Sequence, residues 1–298
     1  MAASKFRLAC EYHGAKFALG VLSSVHPRTA CWFARSVASL AFGVLRKRRK
    51  IAIDNLLKAS VAKTRREARR IAKASFQSMA LTVAESYALP HYLSDPKLRA
   101  QRVVSDIPSA TEACFAEKGK GVILVSGHLG NWEMGAQDVS LRKPVTGVAR
   151  RMNNERVQQL MEKTKMRGNF ETVDKHLAHP MELVRALRKG RVLALLTDQH
   201  ARGDNALKID FFGRPAASYA APAFLQMLTG APIVFAYSVR DGLLHFHEYF
   251  SEPLYFSYSK GTRDADIFHA TQTLATMLED AIRKFPEQYL WAHRRWKI

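Results

Sequence analysis

The centre of the chain alternates between short apolar runs and segments with helical periodicity, and this alternation constrains the fold more than any other feature. Residues 121–126 and 191–197 are largely apolar, which is typical of strands that are buried on both faces of a sheet. Residues 132–139, 155–166 and 180–189 are predicted to be helices. Strands separated by helices indicate βαβ units and therefore a mostly parallel sheet.

The same reasoning extends to the rest of the chain. Further strands are expected at residues 145–149, 232–239 and 243–250, helices at residues 51–87, 218–228 and 267–285, and loops at residues 89–97 and 106–111. We therefore predict one α/β domain over residues 51–298, in which helices flank a mostly parallel central sheet. Residues 1–50 are predicted to form an N-terminal helical extension.

Positive charge and apolar residues are concentrated together near the N-terminus. The chain has 46 Lys and Arg against 26 Asp and Glu, a net charge of +20, and residues 1–53 hold ten basic residues but one acidic residue, Glu11. An apolar stretch over residues 17–45 ends at the basic run 46–50. Apolar burial and attraction to anionic lipid together hold a helix on a membrane. We expect residues 1–50 to associate with a membrane, on its surface or as a single tilted span; the alternative is an ordinary buried helix.

A histidine follows the first buried strand, in the run Ser126-Gly127-His128-Leu129-Gly130-Asn131-Trp132-Glu133. Because α/β sheets bind ligands at the carboxyl ends of their strands, and because histidine titrates near neutral pH, His128 is the candidate general base. With Glu133 in the first turn of the next helix, the chain can curl so that the carboxylate contacts and orients the imidazole. An isolated pair at this spacing is usually a loop histidine and a helix-terminal glutamate, so the full motif carries the prediction.

This motif and several others resemble the bacterial lipid A biosynthesis acyltransferase family, over about residues 45–298. The similar segments, in family order, are Asn55-Leu56-Leu57, Arg150 with Asn153-Asn154, Arg167, Thr197-Asp198-Gln199, Phe211-Phe212-Gly213-Arg214-Pro215-Ala216, Thr229-Gly230-Ala231-Pro232 and Pro286-Glu287-Gln288-Tyr289-Leu290-Trp291-Ala292-His293-Arg294-Arg295-Trp296-Lys297. Gly127 stands where some members carry a second histidine. The resemblance implies a single glycerolipid-acyltransferase-like domain.

The resemblance also implies a reaction and its partners. His128 would deprotonate a hydroxyl of a lipid A precursor, which would attack the thioester of an acyl carrier protein, while Glu133 orients the base. No cofactor is implied. The phosphorylated lipid acceptor and the acidic carrier protein both suit the basic residues at 46–50 and 293–295, although a structural role for the second group is the alternative. The expected location is the cytoplasmic face of the bacterial inner membrane, as a peripheral or a single-pass protein.

Five further residues are candidates for binding substrate: Arg150, Arg167, Asp198, Asn131 and Arg214. By position in the family, Arg150 and Arg167 would bind acceptor phosphates or stabilise negative charge on the thioester oxygen, and Asp198 would support the pocket. Arg214 would contact phosphate. Plain surface charge for the arginines, a loop or capping role for Asp198 and a turn role for Arg214 are the alternatives.

Other functions stay open at this stage. The acceptor could instead be a glycolipid, an aminolipid or a lysophospholipid. A non-catalytic basic module for membrane or nucleic acid would explain the charge, but the chain has no recognised nucleic-acid-binding motif, and nucleic acid is not an expected partner. A metal-dependent hydrolase would need clustered ligands, whereas the histidines are scattered, and no metal site is predicted.

Overall fold

A seven-stranded sheet forms the centre of the computed structural model, which describes residues 5–162, 169–174, 180–203 and 206–297. The strand order is β1-β9-β8-β2-β5-β3-β4. Its strands are β1 Val103–Asp106, β2 Val122–Ser126, β3 Val145–Ala149, β4 Phe170–Asp174, β5 Val192–Leu196, β8 Ile233–Gly242 and β9 His245–Phe250; β6 Ala206–Asp210 and β7 Pro215–Tyr219 form a separate antiparallel hairpin. Within the seven-stranded sheet β8 and β9 are antiparallel, and the other neighbouring pairs are parallel. The predicted α/β fold with a mostly parallel central sheet is confirmed.

Helices cover both faces of this sheet. They are α1 Lys5–Ser24, α2 Pro27–Val44, α3 Arg46–Lys58, α4 Arg65–Ser86, α5 Leu89–Ser94, α6 Pro96–Arg102, α7 Ser109–Ala116, α8 Trp132–Arg142, α9 Glu155–Glu162, α10 Pro180–Arg188, α11 Ala221–Thr229 and α12 Arg263–Lys284, followed by a 3-10 turn at Pro286–Gln288. Alternate residues of β2 face opposite sides. Val122 and Leu124 pack with α7 and α8, whereas Ile123 and Val125 belong to the larger core formed with α10, α11 and α12.

Several element boundaries differ from the prediction. The helix expected over residues 51–87 is two helices, because residues 59–64 turn between α3 and α4, where Ser60 has a φ of 53°. Thr64 then caps α4 by accepting a hydrogen bond from the Glu67 amide at 3.2 Å. Residues 89–97, expected to be a loop, contain α5 and the start of α6, and the loop expected at 106–111 gives way to α7. The helix expected from residue 218 begins only at Ala221, after β7.

Helix α2 buries one face against α4 and leaves the other exposed. Ala30, Cys31, Ala38 and Phe42 are buried. The exposed face consists of large apolar side chains spaced mostly three or four residues apart: Trp32, Phe33, Val37, Leu40 and Val44. Among the described residues, every helix is too short or too polar to cross a membrane. The division of the chain at residue 50 and the membrane association of the first part stay predictions.

Gly130 fixes the backbone that follows His128. Its φ is +65°, in the left-handed region that favours glycine, and a β-carbon at this position would lie 1.9 Å from the carbonyl oxygen of Ser238. The next amide, that of Asn131, donates a hydrogen bond to the same Ser238 oxygen at 2.8 Å. The loop at the end of β2 therefore lies directly against β8, and this close approach requires a glycine.

We expect Gly130→Ala to lower the free energy of unfolding by more than about 2 kcal/mol, because the left-handed conformation alone costs an L-residue roughly 1–2 kcal/mol. The clash with Ser238 adds to this cost. Chemical denaturation of the purified protein measures the change. The matched control is Gly43→Ala in α2, where a β-carbon meets no described atom within 4 Å. That substitution should be neutral or stabilising by up to about 1 kcal/mol, and equal effects of the two variants would contradict the argument.

Candidate active site

His128 and Asp198 occupy equivalent positions at the ends of two neighbouring parallel strands. His128 lies two residues after β2 and Asp198 lies two residues after β5. The register pairs Ser126 with Leu196, so the two chains leave the same edge of the sheet side by side. This edge, at the carboxyl ends of the strands, is where open α/β sheets bind their ligands.

Asp198 holds the imidazole of His128 in one orientation. Its Oδ1 lies 2.8 Å from Nδ1 of His128, and its Oδ2 accepts a hydrogen bond from the His128 backbone amide at 3.0 Å. An ionised carboxylate only accepts hydrogen bonds, so Nδ1 of His128 carries a proton. In the neutral ring, Nε2 is then the unprotonated nitrogen, which is the arrangement that a general base requires.

The pKa values of the pair are coupled through this contact. Burial lowers the pKa of His128, but the charge of Asp198, the hydrogen bond that His128 donates to Asp198 and the charge of Glu133 outweigh it, and the pKa of His128 is raised above its ordinary value. Burial raises the pKa of Asp198, but the His128 contacts and the charge of Arg295 outweigh it, and the pKa of Asp198 is lowered. Asp198 therefore stays ionised at neutral pH and stabilises the imidazolium ion when His128 takes a proton.

The contact predicted between Glu133 and the imidazole is made by Asp198. No hydrogen bond joins Glu133 to His128, although both residues are described and both line the same cavity. Glu133 lies in the first turn of α8, and its charge contributes to the raised pKa of His128. Asp198 takes the Nδ1 position because its strand lies beside β2, whereas Glu133 starts the helix that leaves the loop.

Two other side chains contact the ring of His128. The amide nitrogen of Gln199 lies 3.3 Å from Nε2 of His128, so any ligand that bonds this nitrogen must replace a weak contact. The indole of Trp132 meets the imidazole edge to face, with ring centroids 4.9 Å apart. Beneath the loop, a β-carbon at Gly127 would lie 2.8 Å from Cδ1 of Leu278, so a histidine here would require that leucine to move.

A buried ion pair holds the loop that carries His128. Arg240 of β8 contacts Glu85 of α4 at 2.7–2.9 Å, and both side chains are almost fully buried. Glu85 also accepts a hydrogen bond from the Asn131 side chain at 2.8 Å, and the Thr82 hydroxyl donates to the Gly130 carbonyl at 3.0 Å. Through these bonds α4 and β8 together position the loop at residues 127–131, which we name the His128 loop.

The C-terminal segment, residues 286–297, packs against the His128 loop. The Leu290 amide donates to the His128 carbonyl at 3.1 Å, and the Gly130 amide donates to the Gln288 carbonyl at 3.0 Å. The side chain of Asn55 in turn donates to the carbonyls of Trp291 and His293. The Asn55-Leu56-Leu57 motif and the C-terminal motif lie far apart in the sequence. In the structure they form one unit beneath the site.

A cavity of about 1340 Å³ opens beside His128. Its buried apolar lining comes from β2, α8, β8 and neighbouring elements and includes Leu124, Val139, Ala194, Ala236 and Phe250. Its basic lining residues are Lys47, Arg48, Arg150, Arg202, Arg294 and Lys297. The cavity thus combines a lining suited to a hydrocarbon chain with positive charges suited to anionic groups.

The remaining predicted site residues have different positions. Arg150 lines the cavity and its Nη2 lies 3.3 Å from Oδ1 of Asn153. Arg167 lies outside the described residues. Asn131 is fully buried, where it caps α8 by accepting from the Met134 amide at 3.0 Å and donates to Glu85, so a contact with substrate is not available to it.

Arg214 lies away from the cavity. It is the last residue of the turn between β6 and β7. Its Nε donates a hydrogen bond to the Lys58 carbonyl at 2.9 Å. It is not among the residues that line the cavity, so it joins the hairpin to α3 rather than contacting a ligand there.

Sequence reasoning did not assign roles to His293, Tyr289 or Arg295 individually. Burial lowers the pKa of His293 to about 4, and its Nε2 accepts a hydrogen bond from the His200 amide at 3.0 Å, so this cavity residue is a neutral acceptor. Burial, followed by the charge of Asp198, raises the pKa of Tyr289 well above its usual range. All three residues belong to the C-terminal motif, which is the sequence feature that could have identified them. Residues of this motif pack around Asp198.

Within the described ranges, no group of three or more His, Cys, Asp or Glu side chains is placed to hold a metal ion.

We predict that Asp198→Asn lowers the pKa of His128, because burial then acts without the opposing charge of the carboxylate. Glu133→Gln should lower the same pKa by a smaller amount, since the charge of Glu133 contributes less. NMR titration of the His128 ring protons measures both shifts, and thermal unfolding checks that each variant is folded. A larger shift in Glu133→Gln than in Asp198→Asn would show that Glu133 is the principal partner.

Comparisons with known proteins identify the family of this chain. The model of the family described as bacterial lipid A biosynthesis acyltransferase matches residues 5–298. The chain is 24% identical over 268 residues to the lipid A biosynthesis palmitoleoyltransferase of Escherichia coli K12, covering 90% of this chain and 84% of that one. It is 25% identical over 268 residues to the lipid A biosynthesis lauroyltransferase of the same organism, covering 88% and 83%.

A solved structure of the 1-acyl-sn-glycerophosphate acyltransferase of Thermotoga maritima is similar with a TM-score of 0.38 and 10% identity, covering 90% of this chain and all of that one. Similarity at that level supports nothing further about this chain. The family match, in contrast, spans nearly the whole sequence, including the His128 loop, Asp198 and the C-terminal segment. The chain belongs to the bacterial lipid A biosynthesis acyltransferase family.

Proposed function

We propose that this acyltransferase moves a fatty acyl chain from the thioester of an acyl carrier protein to a hydroxyl group of a lipid A precursor. The single observation that carries the proposal is the His128–Asp198 pair at the edge of a cavity with both an apolar and a basic lining. A hydroxyl acceptor needs a base, an acyl chain needs an apolar channel, and a phosphorylated lipid needs positive charge. The site contains all three.

The apolar lining suits the acyl chain of the donor. Leu124, Val139 and Ala236 are buried side chains on the side of the sheet that α8 covers, and they line the cavity that His128 borders. A chain in this channel would lose water-accessible apolar surface, which stabilises binding by about 0.8 kcal/mol for each buried methylene. Its thioester would then lie at the open end, beside the base.

The basic lining suits two anionic partners. Lys47 and Arg48 enter it from the start of α3, Arg150 follows β3, and Arg294 and Lys297 come from the C-terminal segment. Phosphates of the lipid acceptor and the acidic surface of the carrier protein would both be attracted to these charges. We retain Arg150 as a proposed substrate-binding residue for this reason, and we propose the same role for Arg167.

The reaction follows from the orientation of His128. Its Nε2 removes the proton from the acceptor hydroxyl as the hydroxyl oxygen attacks the thioester carbonyl. The new carbon–oxygen bond forms, the carbon–sulfur bond breaks, and the carrier thiolate leaves with the proton returned by the imidazolium. Asp198 acts by stabilising that imidazolium, and Glu133 adds a second negative charge nearby. Neither residue forms a covalent intermediate.

We also propose that α2 docks the protein on the cytoplasmic face of the bacterial inner membrane. Its exposed side chains include Trp32, which is 72% exposed, and Leu40, which is 70% exposed. The basic run 46–50 begins α3 immediately after them. An apolar helix face followed by basic residues suits the boundary between the acyl chains and the anionic headgroups of a lipid layer.

We expect His128→Ala to lower acyl transfer by about 10²–10⁴-fold, the range that a positioned general base contributes. The purified variant and the wild-type protein are assayed with charged acyl carrier protein and a lipid A precursor, and mass spectrometry identifies the product. The control is His269→Ala, because His269 is exposed on α12 and does not line the cavity. It should keep wild-type activity.

A panel of acceptors tests the substrate in the same assay. The lipid A precursor is compared with a glycolipid, an aminolipid and a lysophospholipid, each with the same acyl donor. Transfer confined to one of the other acceptors would replace the proposed substrate while retaining the proposed chemistry. Undiminished turnover by His128→Ala would instead remove His128 from its role as the base.

We predict that the double variant Trp32→Ser and Leu40→Ser lowers binding to vesicles that contain anionic lipid by on the order of 10²-fold or more, because each large apolar side chain contributes about 1.5–3 kcal/mol when it is buried. Vesicle co-sedimentation measures the effect. Leu141→Ser is the control, since Leu141 is 40% exposed at the end of α8. Loss of binding in the control, or retention in the double variant, would argue that another surface contacts the lipid.

A further inference from the structure

Two polar side chains interrupt the buried lining of the cavity. Ser238 of β8 and Glu248 of β9 both line it, and they are only 2% and 1% exposed. Their neighbours in the lining include apolar and small residues, as at Ala236, Gly135 and Phe250. A channel that only accommodates hydrocarbon has no use for a carboxyl and a hydroxyl group.

Each of these side chains has a buried oxygen without a hydrogen bond in the described part of the protein. The unpaired atoms are Oγ of Ser238 and Oε1 of Glu248. The other oxygen of Glu248 accepts a hydrogen bond from the Ser105 hydroxyl at 2.8 Å. Leaving a buried polar atom without a partner is costly because its contact with water is lost, so two such oxygens lining one cavity are available to bond a polar group of a ligand.

The two oxygens belong to one location. Ser238 and Glu248 are direct partners across the antiparallel β8–β9 pair, so their side chains lie on the same face of the sheet. Gly135 of α8 packs closely against this pair: a β-carbon there would lie 3.1 Å from Cβ of Ser238 and 3.8 Å from Oε1 of Glu248. A glycine at this position allows α8 to approach the two strands where they border the cavity.

This location adjoins the reacting end of the channel. The backbone of Ser238 pairs with Gly130 of the His128 loop and accepts the hydrogen bond from the Asn131 amide. Gly130 is two residues from His128. A ligand group that reaches Ser238 and Glu248 therefore lies close to the acyl carbonyl, not at the far methyl end of the chain.

The chemistry of the pair favours a neutral group that both donates and accepts hydrogen bonds. Arg99 and Arg142 lie near Glu248 but make their ion pairs with Asp138, to which Nη2 of Arg99 donates at 2.7 Å, and among the described residues no ion pair joins Glu248 to a cation. Burial, together with the charge of Asp138, raises the pKa of Glu248 well above its ordinary value and so favours the neutral carboxylic acid, although the charges of Arg142 and Arg99 act in the opposite direction. A carboxylic acid beside a hydroxyl suits an alcohol and disfavours a phosphate or a carboxylate.

We propose that Ser238 and Glu248 form a subsite for a hydroxyl group near the carbonyl end of the transferred acyl chain, so that the enzyme prefers hydroxylated acyl donors to unsubstituted donors of equal length. This inference rests on the proposed function. A site whose buried polar groups bond a substrate hydroxyl discriminates against the analogue that lacks it, because those groups are then left unpaired. We expect a preference of about tenfold or more.

Competition between donors tests the preference. Carrier protein is charged with a ladder of chain lengths, each as the unsubstituted, 2-hydroxy and 3-hydroxy acid, and the wild-type protein receives equal amounts of the three forms. Mass spectrometry gives the product ratio. Ser238→Ala and Glu248→Leu should bring the ratio toward one, whereas Glu248→Gln, which keeps a neutral donor and acceptor, should retain part of the preference. Ser140→Ala is the matched control, because Ser140 is buried on α8 but bonded to its own helix and does not line the cavity.

Binding without turnover separates this inference from the proposed reaction. Calorimetry of His128→Ala with free hydroxylated and unsubstituted fatty acids gives two dissociation constants, whose ratio should again favour the hydroxylated acid and should fall in the Ser238→Ala background. Absence of transfer with every donor would contradict the proposed function. The ratio of the two dissociation constants would then still test whether Ser238 and Glu248 bind a hydroxyl group. Equal binding of both acids, equal use of both donors, or a preference unchanged by Ser238→Ala and Glu248→Leu would overturn the subsite and assign the two oxygens to bound water only.

Discussion

The ion pair between Glu85 and Arg240 is the contact on which the position of the His128 loop depends. Two buried charges are stable in a protein interior only when their hydrogen-bonding capacity is used, and here it is: Arg240 also donates to the hydroxyls of Ser78 and Thr82, and Glu85 also accepts from Asn131. Thr82 and Asn131 are the residues that hold the loop. The requirement to satisfy one buried pair thus fixes α4, β8 and the loop relative to one another.

Helix α4 also connects this interior to the N-terminal helices. Its opposite side packs on α2, where the Gln77 amide donates to the Ser39 hydroxyl at 2.9 Å and the rings of Phe42 and Phe76 meet edge to face. The chain leaves α2 at Leu45 and supplies Lys47 and Arg48 to the cavity within a few residues. If α2 lies in the lipid surface as proposed, the basic lining of the cavity is carried to the level of the headgroups, where an acceptor lipid presents its hydroxyls.

The central strands of the sheet could be predicted from the sequence, whereas its edge strands could not. Strands β2, β3 and β5 lie within a residue or two of their predicted bounds, because strands buried on both faces are continuous apolar runs. The edge strands β1 and β4 carry alternating exposed residues and polar side chains, as in Phe170–Asp174, so they lack that signal. The β6–β7 hairpin lies outside the main sheet and was not predicted, and the helix predicted over residues 218–228 overlaps only the last two residues of its second strand.

The candidate site, too, could be predicted only in part from the sequence. A histidine after a buried strand indicated the candidate base, but its partner depends on strand order: β5 lies beside β2 although β3 and β4 come between them in sequence, so Asp198 reaches His128 from 70 positions away. Proximity in sequence favoured Glu133, but this residue lies in the first turn of α8 and makes no hydrogen bond with the His128 ring among the described residues. Membership in a family motif also did not distinguish residues that line the cavity from residues that support the fold. The side-chain amide of Asn55 donates to backbone carbonyls, and that of Asn131 donates to the buried carboxylate of Glu85. The unpaired oxygens of Ser238 and Glu248 lie outside every motif, because only the pairing of β8 with β9 brings these two residues to one place on the sheet.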